Sequence, residues 1–192
     1  MALRSSPLLY PAVTRAQAIL VVNALALDTL VLQAGVFRAH HGVRGPGSIA
    51  LHPFLGDFYK ALVEYSDQLT ELAEMLGGES TGSAEEMADG SRLEAWPVGV
   101  VAVDEVCELV FDRASVLLRY FELALTTLTE LGAMVPVNRV LNIQEGLAVW
   151  VWKVGANLEL APDSSPIPPD RLARFGTTGD EVHVGDDGIL RV

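Results

Sequence analysis

Cysteine is nearly missing from this chain: Cys107 is the single one in 192 residues. That excludes an intrachain disulfide and any thiolate-based zinc site. Positive charge is scarce as well. There are 13 basic residues against 25 acidic ones, a net charge of −12, and among the basic residues only Lys60 and Lys153 are lysines. Capture of nucleic acid by net charge is therefore not expected, because phosphate neutralisation needs several basic groups acting together. An uninterrupted membrane-spanning run is also lacking. The longest apolar stretch, Ala18 to Leu32, carries Asn23 and Asp28 near its middle, and both are costly at mid-bilayer. The opening Met-Ala-Leu-Arg-Ser-Ser-Pro has one arginine and no small-residue cleavage site after an apolar run, so no secretory signal is expected. What is plentiful is apolar: 50% of the residues are hydrophobic, and the mean hydropathy is +0.32. With membrane insertion disfavoured, that surplus points to a large interface between chains and to an intracellular, cytoplasmic homo-oligomer.

Helix signals divide the chain. Thr14 and Gln17 have capping-box spacing, and an apolar run follows at once. A first helix is predicted from there to about His41, stopped by Gly42 and the Gly45-Pro46-Gly47 turn. The second starts near Ser48 or His52, with Pro53 tolerable in its first turn, and ends at Gly77-Gly78. Residues 79–100 are polar, with room for a short helix. The third helix is expected from about Asp104 to Glu130, with Asp104, Glu105 and Glu108 at its dipole-favoured start, and Gly132 closes it. The fourth runs from Pro136 to about Leu160.

Four long helices with two short connections and one long middle one make an all-α, ferritin-like four-helix bundle, the long connection crossing over the bundle's length. The predicted organisation is an N-terminal arm over 1–12, the bundle over 13–160, and a Pro-rich acidic tail over 161–192. In that tail, alternation around Gly-Asp-Asp-Gly suits a small hairpin at 181–192 and equally a loose end.

The second helix carries two stripes. Leu55, Phe58, Leu62, Tyr65, Leu69, Leu72 and Leu76 recur by three and four and form a core seam. Asp57, Glu64, Asp67, Glu71 and Glu74 follow the same rhythm on another face. By itself such a stripe is a solvated surface. Three histidines, His40, His41 and His52, cluster where the first helix ends and the second begins. Histidines at a helix C-terminus also have an ordinary electrostatic reason to be there. Imidazoles with carboxylates and no thiols suit iron, zinc or manganese. His52 and Asp67 lie fifteen residues apart, about 22 Å along a straight helix, whereas metal–ligand bonds are about 2 Å long. One chain cannot put both on one ion. Two second helices packed antiparallel about a two-fold axis can. Asp67 and Glu71, at i and i+4, point the same way.

These residues resemble those of the Dps family, the DNA-protection-during-starvation proteins or mini-ferritins. The similarity lies in Ala39-His40-His41-Gly-Val-Arg44-Gly45, Ile49-Ala-Leu-His52, Asp67-Gln-Leu-Thr-Glu71 and Leu76-Gly77-Gly78 with Gly82. A fainter echo is Trp152-Lys-Val-Gly-Ala-Asn157-Leu-Glu159. The resemblance implies a hollow dodecamer built from two-fold dimers. It also implies an intersubunit ferroxidase that oxidises Fe(II) with hydrogen peroxide or oxygen, two iron positions per site, and ferric mineral stored inside, protecting against oxidative damage. Carried over, His40 and His52 would be ligands from one subunit, Asp67 and Glu71 from its mate, with Glu71 the bridging candidate.

The chain departs from the family pattern in places. His41 stands where the family usually has Trp directly after the first ligand; an extra ligand, a proton acceptor and a surface residue are the alternatives, with surface favoured. An acid common four residues after the second His is replaced by Gly56, with Asp57 one step on as a further candidate ligand. Trp152 corresponds to the last-helix Trp that lies near the family's site. Around Met134-Val-Pro-Val-Asn138-Arg139 the acids that commonly line the iron pores are missing. The family's DNA binding commonly rests on a lysine-rich arm; this arm has only Arg4 and Arg15, so DNA binding is not expected. The competing reading is a structural or interaction cage with weak or non-iron metal binding, in which tail residues such as Arg171, Arg174 and Phe175 recruit a partner. Cys107 reads as a buried small apolar residue.

Overall fold

In the computed structural model, which describes residues 3–158, 183–184 and 190–191, helix α1 spans Ala12–Gly42, α2 Ser48–Met75, α3 Ala84–Gly90, α4 Val103–Glu130 and α5 Met134–Gly155. α1 does not start at a Thr14 capping box. Pro11 is the N-cap, with no side-chain cap, and Arg15 N donates to the Pro11 carbonyl at 3.0 Å. Pro11 supplies the break, so Thr14 falls inside the helix. α5 likewise begins at Met134, two residues before the expected Pro136, which sits in the first turn where its missing N–H is harmless. At the other end α5 stops at Gly155 rather than near Leu160; residues 159 and 160 lie outside the described residues, as does 161–182.

α1 packs against α2 and α4, and α5 against α4 and α2, closing the four-helix bundle. The predicted seam of α2 is its buried face: Leu55, Phe58, Leu62, Leu69, Leu72 and Leu76 are at most 1% exposed, with Tyr65 half-buried. Phe58 of α2 and Phe121 of α4 are wholly enclosed, each stabilising the bundle by about 1.5–3 kcal/mol. The acids of the other stripe are exposed. α1 is the one described helix long and apolar enough to cross a membrane, and half of its most apolar window is buried inside the bundle.

The α2 terminus is closed by Gly77, at φ +85° and with the Arg4 carbonyl so near that a Cβ would overlap it. Arg4 N donates to the Gly77 carbonyl at 2.7 Å, and Arg15 Nη1 to that of Leu76 at 2.8 Å, which pins the N-terminal arm. The crossover contains the short α3, started by a capping box in which Ser83 and Glu86 satisfy each other's backbone N–H groups.

Asp28 anchors the stretch between α3 and α4. Fully buried in α1, its carboxylate accepts hydrogen bonds from Ser91 Oγ, Arg92 N and Arg92 Nε at 2.7–2.9 Å, and pairs with Arg92 Nη2 at 2.6 Å. The Arg92 guanidinium lies 3.9 Å over the Tyr120 ring of α4. The polar interruption in the apolar run is thus the clamp for the crossover. Trp96 packs against Gly35 of α1, where a Cβ would overlap the indole. Arg44 N donates to the Val101 carbonyl at 2.8 Å, tying the α1–α2 turn to the entrance of α4. In the tail, β1 (His183–Val184) pairs antiparallel with β2 (Leu190–Arg191), in the register His183↔Arg191 and Val184↔Leu190.

Candidate metal centre

His40 occupies the last turn of α1 and His52 the second turn of α2. The turn between them needs Gly45 and Gly47, whose φ values are +100° and +85°. It folds the two histidines face to face, ring centroids 3.9 Å apart and planes 24° from parallel. Each ring is tied to the other residue's backbone: His40 Nδ1 to the His52 carbonyl and His52 Nδ1 to the His40 carbonyl, both at 2.7 Å. A carbonyl only accepts, so both Nδ1 atoms carry the proton, and in the neutral rings both lone pairs sit on Nε2. A metal-ligating histidine has this arrangement, one nitrogen donating to a carbonyl and the other kept as a base for the ion.

Gly56 lies one helical turn beyond His52, directly under the His40 ring: a Cβ there would come within 2.9 Å of Cε1. An acid at this position would displace the imidazole. Asp57 points elsewhere, into an ion pair with Lys60 at 2.9 Å. His41 is exposed and stands edge-on to both His40 (4.7 Å) and Phe37 (4.6 Å), with Tyr59 beyond Phe37 at 5.3 Å.

Asp67 and Glu71 are exposed further along α2. The structure brings His40 and His52 together and does not bring the two carboxylates to them; among the described residues no group of three or more His, Cys, Asp or Glu side chains is gathered for a metal. His40 and His52 stand together at one end of α2, and Asp67 and Glu71 lie toward its other end.

α5 runs antiparallel along α2, meeting it from Phe54 to Glu71. Trp150 stacks on Phe58 at 5.1 Å and meets Phe54 at 5.4 Å, with Lys153 Nζ 4.7 Å over its ring. Tyr65 is half-buried, and burial pushes its phenol above the usual range, outweighing the opposing effect of Trp150. The Tyr65 hydroxyl presses against Gly146, and Arg139 Nη1 reaches Glu71 Oε2 at 3.9 Å. The last-helix tryptophan on α2 is thus Trp150, while Trp152 is 70% exposed. Sequence reading missed Trp150 and Arg139. The signal for Trp150 was its i, i+4 relation to Val154 and Gly146 on one side of α5; Arg139 had none, because its partner is on another helix.

No protein-family model matches the sequence. A curated relative does: the DNA protection during starvation protein of Agrobacterium fabrum is 24% identical over 103 residues, which is 54% of this chain and 64% of that protein, so the match spans less than two thirds of the relative's length. Among solved structures, DpsC from Streptomyces coelicolor superposes with a TM-score of 0.79 at 20% identity, covering 85% of this chain and 96% of that one. The Vibrio cholerae Dps protein, described as a member of a broad superfamily of ferritin-like diiron-carboxylate proteins, gives 0.76 at 16% identity and covers 83% and 99%. The Dps of Microbacterium arborescens, solved in a high-iron form, gives 0.73 at 21% and covers 83% and 100%. The fold is therefore the all-α bundle of the ferritin-like proteins. Within that class, the sequence match and the fold both make the chain similar to Dps proteins.

Proposed function

We propose that the chain is the subunit of a cytoplasmic mini-ferritin, a homo-oligomeric cage, dodecameric like the family it resembles, that oxidises Fe(II) and stores the ferric product. The observation that carries this is the reciprocal His40–His52 lock, which leaves both imidazole Nε2 lone pairs free for an ion, while no other donors among the described residues gather with them. A two-fold mate supplies Asp67 and Glu71. Exposed apolar side chains suit such an assembly: Ile49 at 91%, Val98 at 86%, Trp152 at 70% and Phe37 at 47% exposed on the single chain.

Iron is the substrate. Two Fe(II) ions each give up one electron, one peroxide takes both, and its O–O bond breaks to yield two hydroxides. The two imidazoles hold the ion without adding charge, and the two carboxylates stabilise the higher charge that develops on oxidation. The net charge of −12 favours accumulation of cations and mineral nucleation inside a cage, and disfavours DNA as a partner.

A second reading is favoured by one observation. Gly56 under His40 and Asp57 bound to Lys60 leave no acid gathered with the histidine pair among the described residues, which suits a cage that holds another divalent metal, or iron weakly, without turnover. The experiment is Fe(II) oxidation, started anaerobically with peroxide and separately with oxygen, on wild type, His52→Ala and Asp67→Ala, each checked for assembly by sedimentation. Fast oxidation lost in both assembled variants supports the ferroxidase and ranks the oxidants. Activity no greater than buffer in the wild type establishes the second reading.

A further inference from the structure

The acids along the exposed face of α2 are not equally free. Asp57 is paired with Lys60, Glu64 accepts from Gln68, and Glu74 is paired with Arg4 and accepts from Ser80 N. Asp67 has no side-chain partner among the described residues. Glu71 has one cation, Arg139, reaching across from α5. Of the four candidate ligands His40, His52, Asp67 and Glu71, it alone is held by a charge.

That contact has a specific character. At 3.9 Å it is longer than the 2.7–2.9 Å of a charge-assisted hydrogen bond. It is Coulombic attraction without a hydrogen bond, one a metal ion could displace. Its placement is nevertheless fixed, because the antiparallel register of α2 and α5 is set by Trp150 on Phe58 and by Tyr65 against Gly146, and Arg139 follows from it. In a chain with 13 basic residues against 25 acidic, a guanidinium beside one of two candidate carboxylate ligands is not a diffuse surface charge.

We infer that Arg139 is the resident counter-ion of the carboxylate half-site: it neutralises Glu71 while the site is vacant, must give way when a divalent cation arrives, and so sets how tightly that cation is held. This rests on the metal-site reading above and deepens it. Two positive charges near one carboxylate repel, so Arg139 weakens the site's grip on the metal and guards against trapping cations before oxidation.

Co(II), which peroxide-free buffer leaves unoxidised, is the probe. The assembled protein is titrated with it and followed by its visible absorption and by calorimetry, for wild type, Arg139→Gln, Arg139→Lys and His52→Ala. Arg139→Gln should bind Co(II) about three- to tenfold more tightly, with Arg139→Lys near wild type because the charge is retained. The Fe(II) concentration for half-maximal oxidation should fall by the same factor in Arg139→Gln, with the maximal rate little changed. Unchanged or weaker Co(II) binding in Arg139→Gln, in a wild type that does bind and a His52→Ala that does not, overturns the counter-ion role alone. Binding that is absent from wild type, or that survives His52→Ala intact, overturns the site reading and the inference with it.

Discussion

His40 and His52 each hydrogen-bond the other's backbone carbonyl through Nδ1 at 2.7 Å, so the two rings fix one another's tautomer. Nitrogen-15 NMR of labelled histidines in the metal-free protein at neutral pH should therefore show both residues protonated at Nδ1 and bare at Nε2. Either ring found as the opposite tautomer would remove the pair's readiness to bind metal. Gly56→Ala, which pushes a methyl group into the His40 ring, should break this signature and weaken Co(II) binding about tenfold, while leaving far-UV circular dichroism unchanged.

If each site joins the imidazoles of one chain to the carboxylates of its mate, two dead variants should rescue each other. In a dimer of His52→Ala with Asp67→Ala, one site carries both lesions and the other carries none. Mixing the variants in the unfolded state and reassembling them should restore about a quarter of wild-type oxidation, since about half the dimers are mixed and each has one intact site. No recovery from a mixture that reassembles normally would mean the site lies within a single chain.

The Asp28 clamp should matter for stability more than any surface pair. Asp28→Ala strands the Ser91 hydroxyl and the Arg92 amide and guanidinium that the carboxylate satisfied. A loss of about 2–4 kcal/mol is expected, read by denaturant unfolding of the assembled protein. Lys60→Ala, which breaks an exposed pair with Asp57, should change stability by about 0–1 kcal/mol.

Glu86 gives the crossover an acid limit. Its carboxylate accepts from the Ser83 and Gly82 backbone N–H groups, and these bonds hold its pKa down at about 2 rather than the usual 4.5. A folded-state pKa below the unfolded one adds stability that is complete above about 4.5, declines as pH falls, and is gone below about 2. Amide exchange in 84–90 should accelerate across that window ahead of exchange in α4. Ser83→Ala should shift the acceleration to higher pH.

Cys107 is buried at the start of α4. Burial pushes its thiol up, with Asp104 and Glu108 adding to the effect. Iodoacetamide at pH 8 should label it far more slowly than it labels free cysteine, and denaturant should remove the difference.

The parts legible in the sequence are those with local causes. The α2 seam is readable because Leu55 to Leu76 repeats by three and four, and the ends of α2 and α4 because Gly77 and Gly132 take the positive φ that closes a helix. The start of α1 is misleading because Thr14 and Gln17 have capping spacing in sequence, whereas Pro11 breaks the helix first. The Ser83–Glu86 box is present in the sequence as the same pattern, hidden in a polar stretch. Asp28 is visible as a charge in an apolar run, yet its partner is 64 residues away. Arg139 facing Glu71 depends on the register of two helices packed through Tyr65 and Gly146, which no local pattern records. The histidine cluster is visible; that its members bind each other's carbonyls depends on how tightly the Gly45–Gly47 turn folds.

Fifteen residues of α2 separate His52 from Asp67, and among its described residues a lone chain gathers no three-donor cluster. On the two-chain reading, a newly made or diluted subunit is chemically silent toward iron. Oxidation would begin only once partners meet, so its rate at low protein should rise with the square of subunit concentration until pairing saturates. Ferric product would then never form on a stray chain, and the timing of the chemistry would be written into the length of one helix.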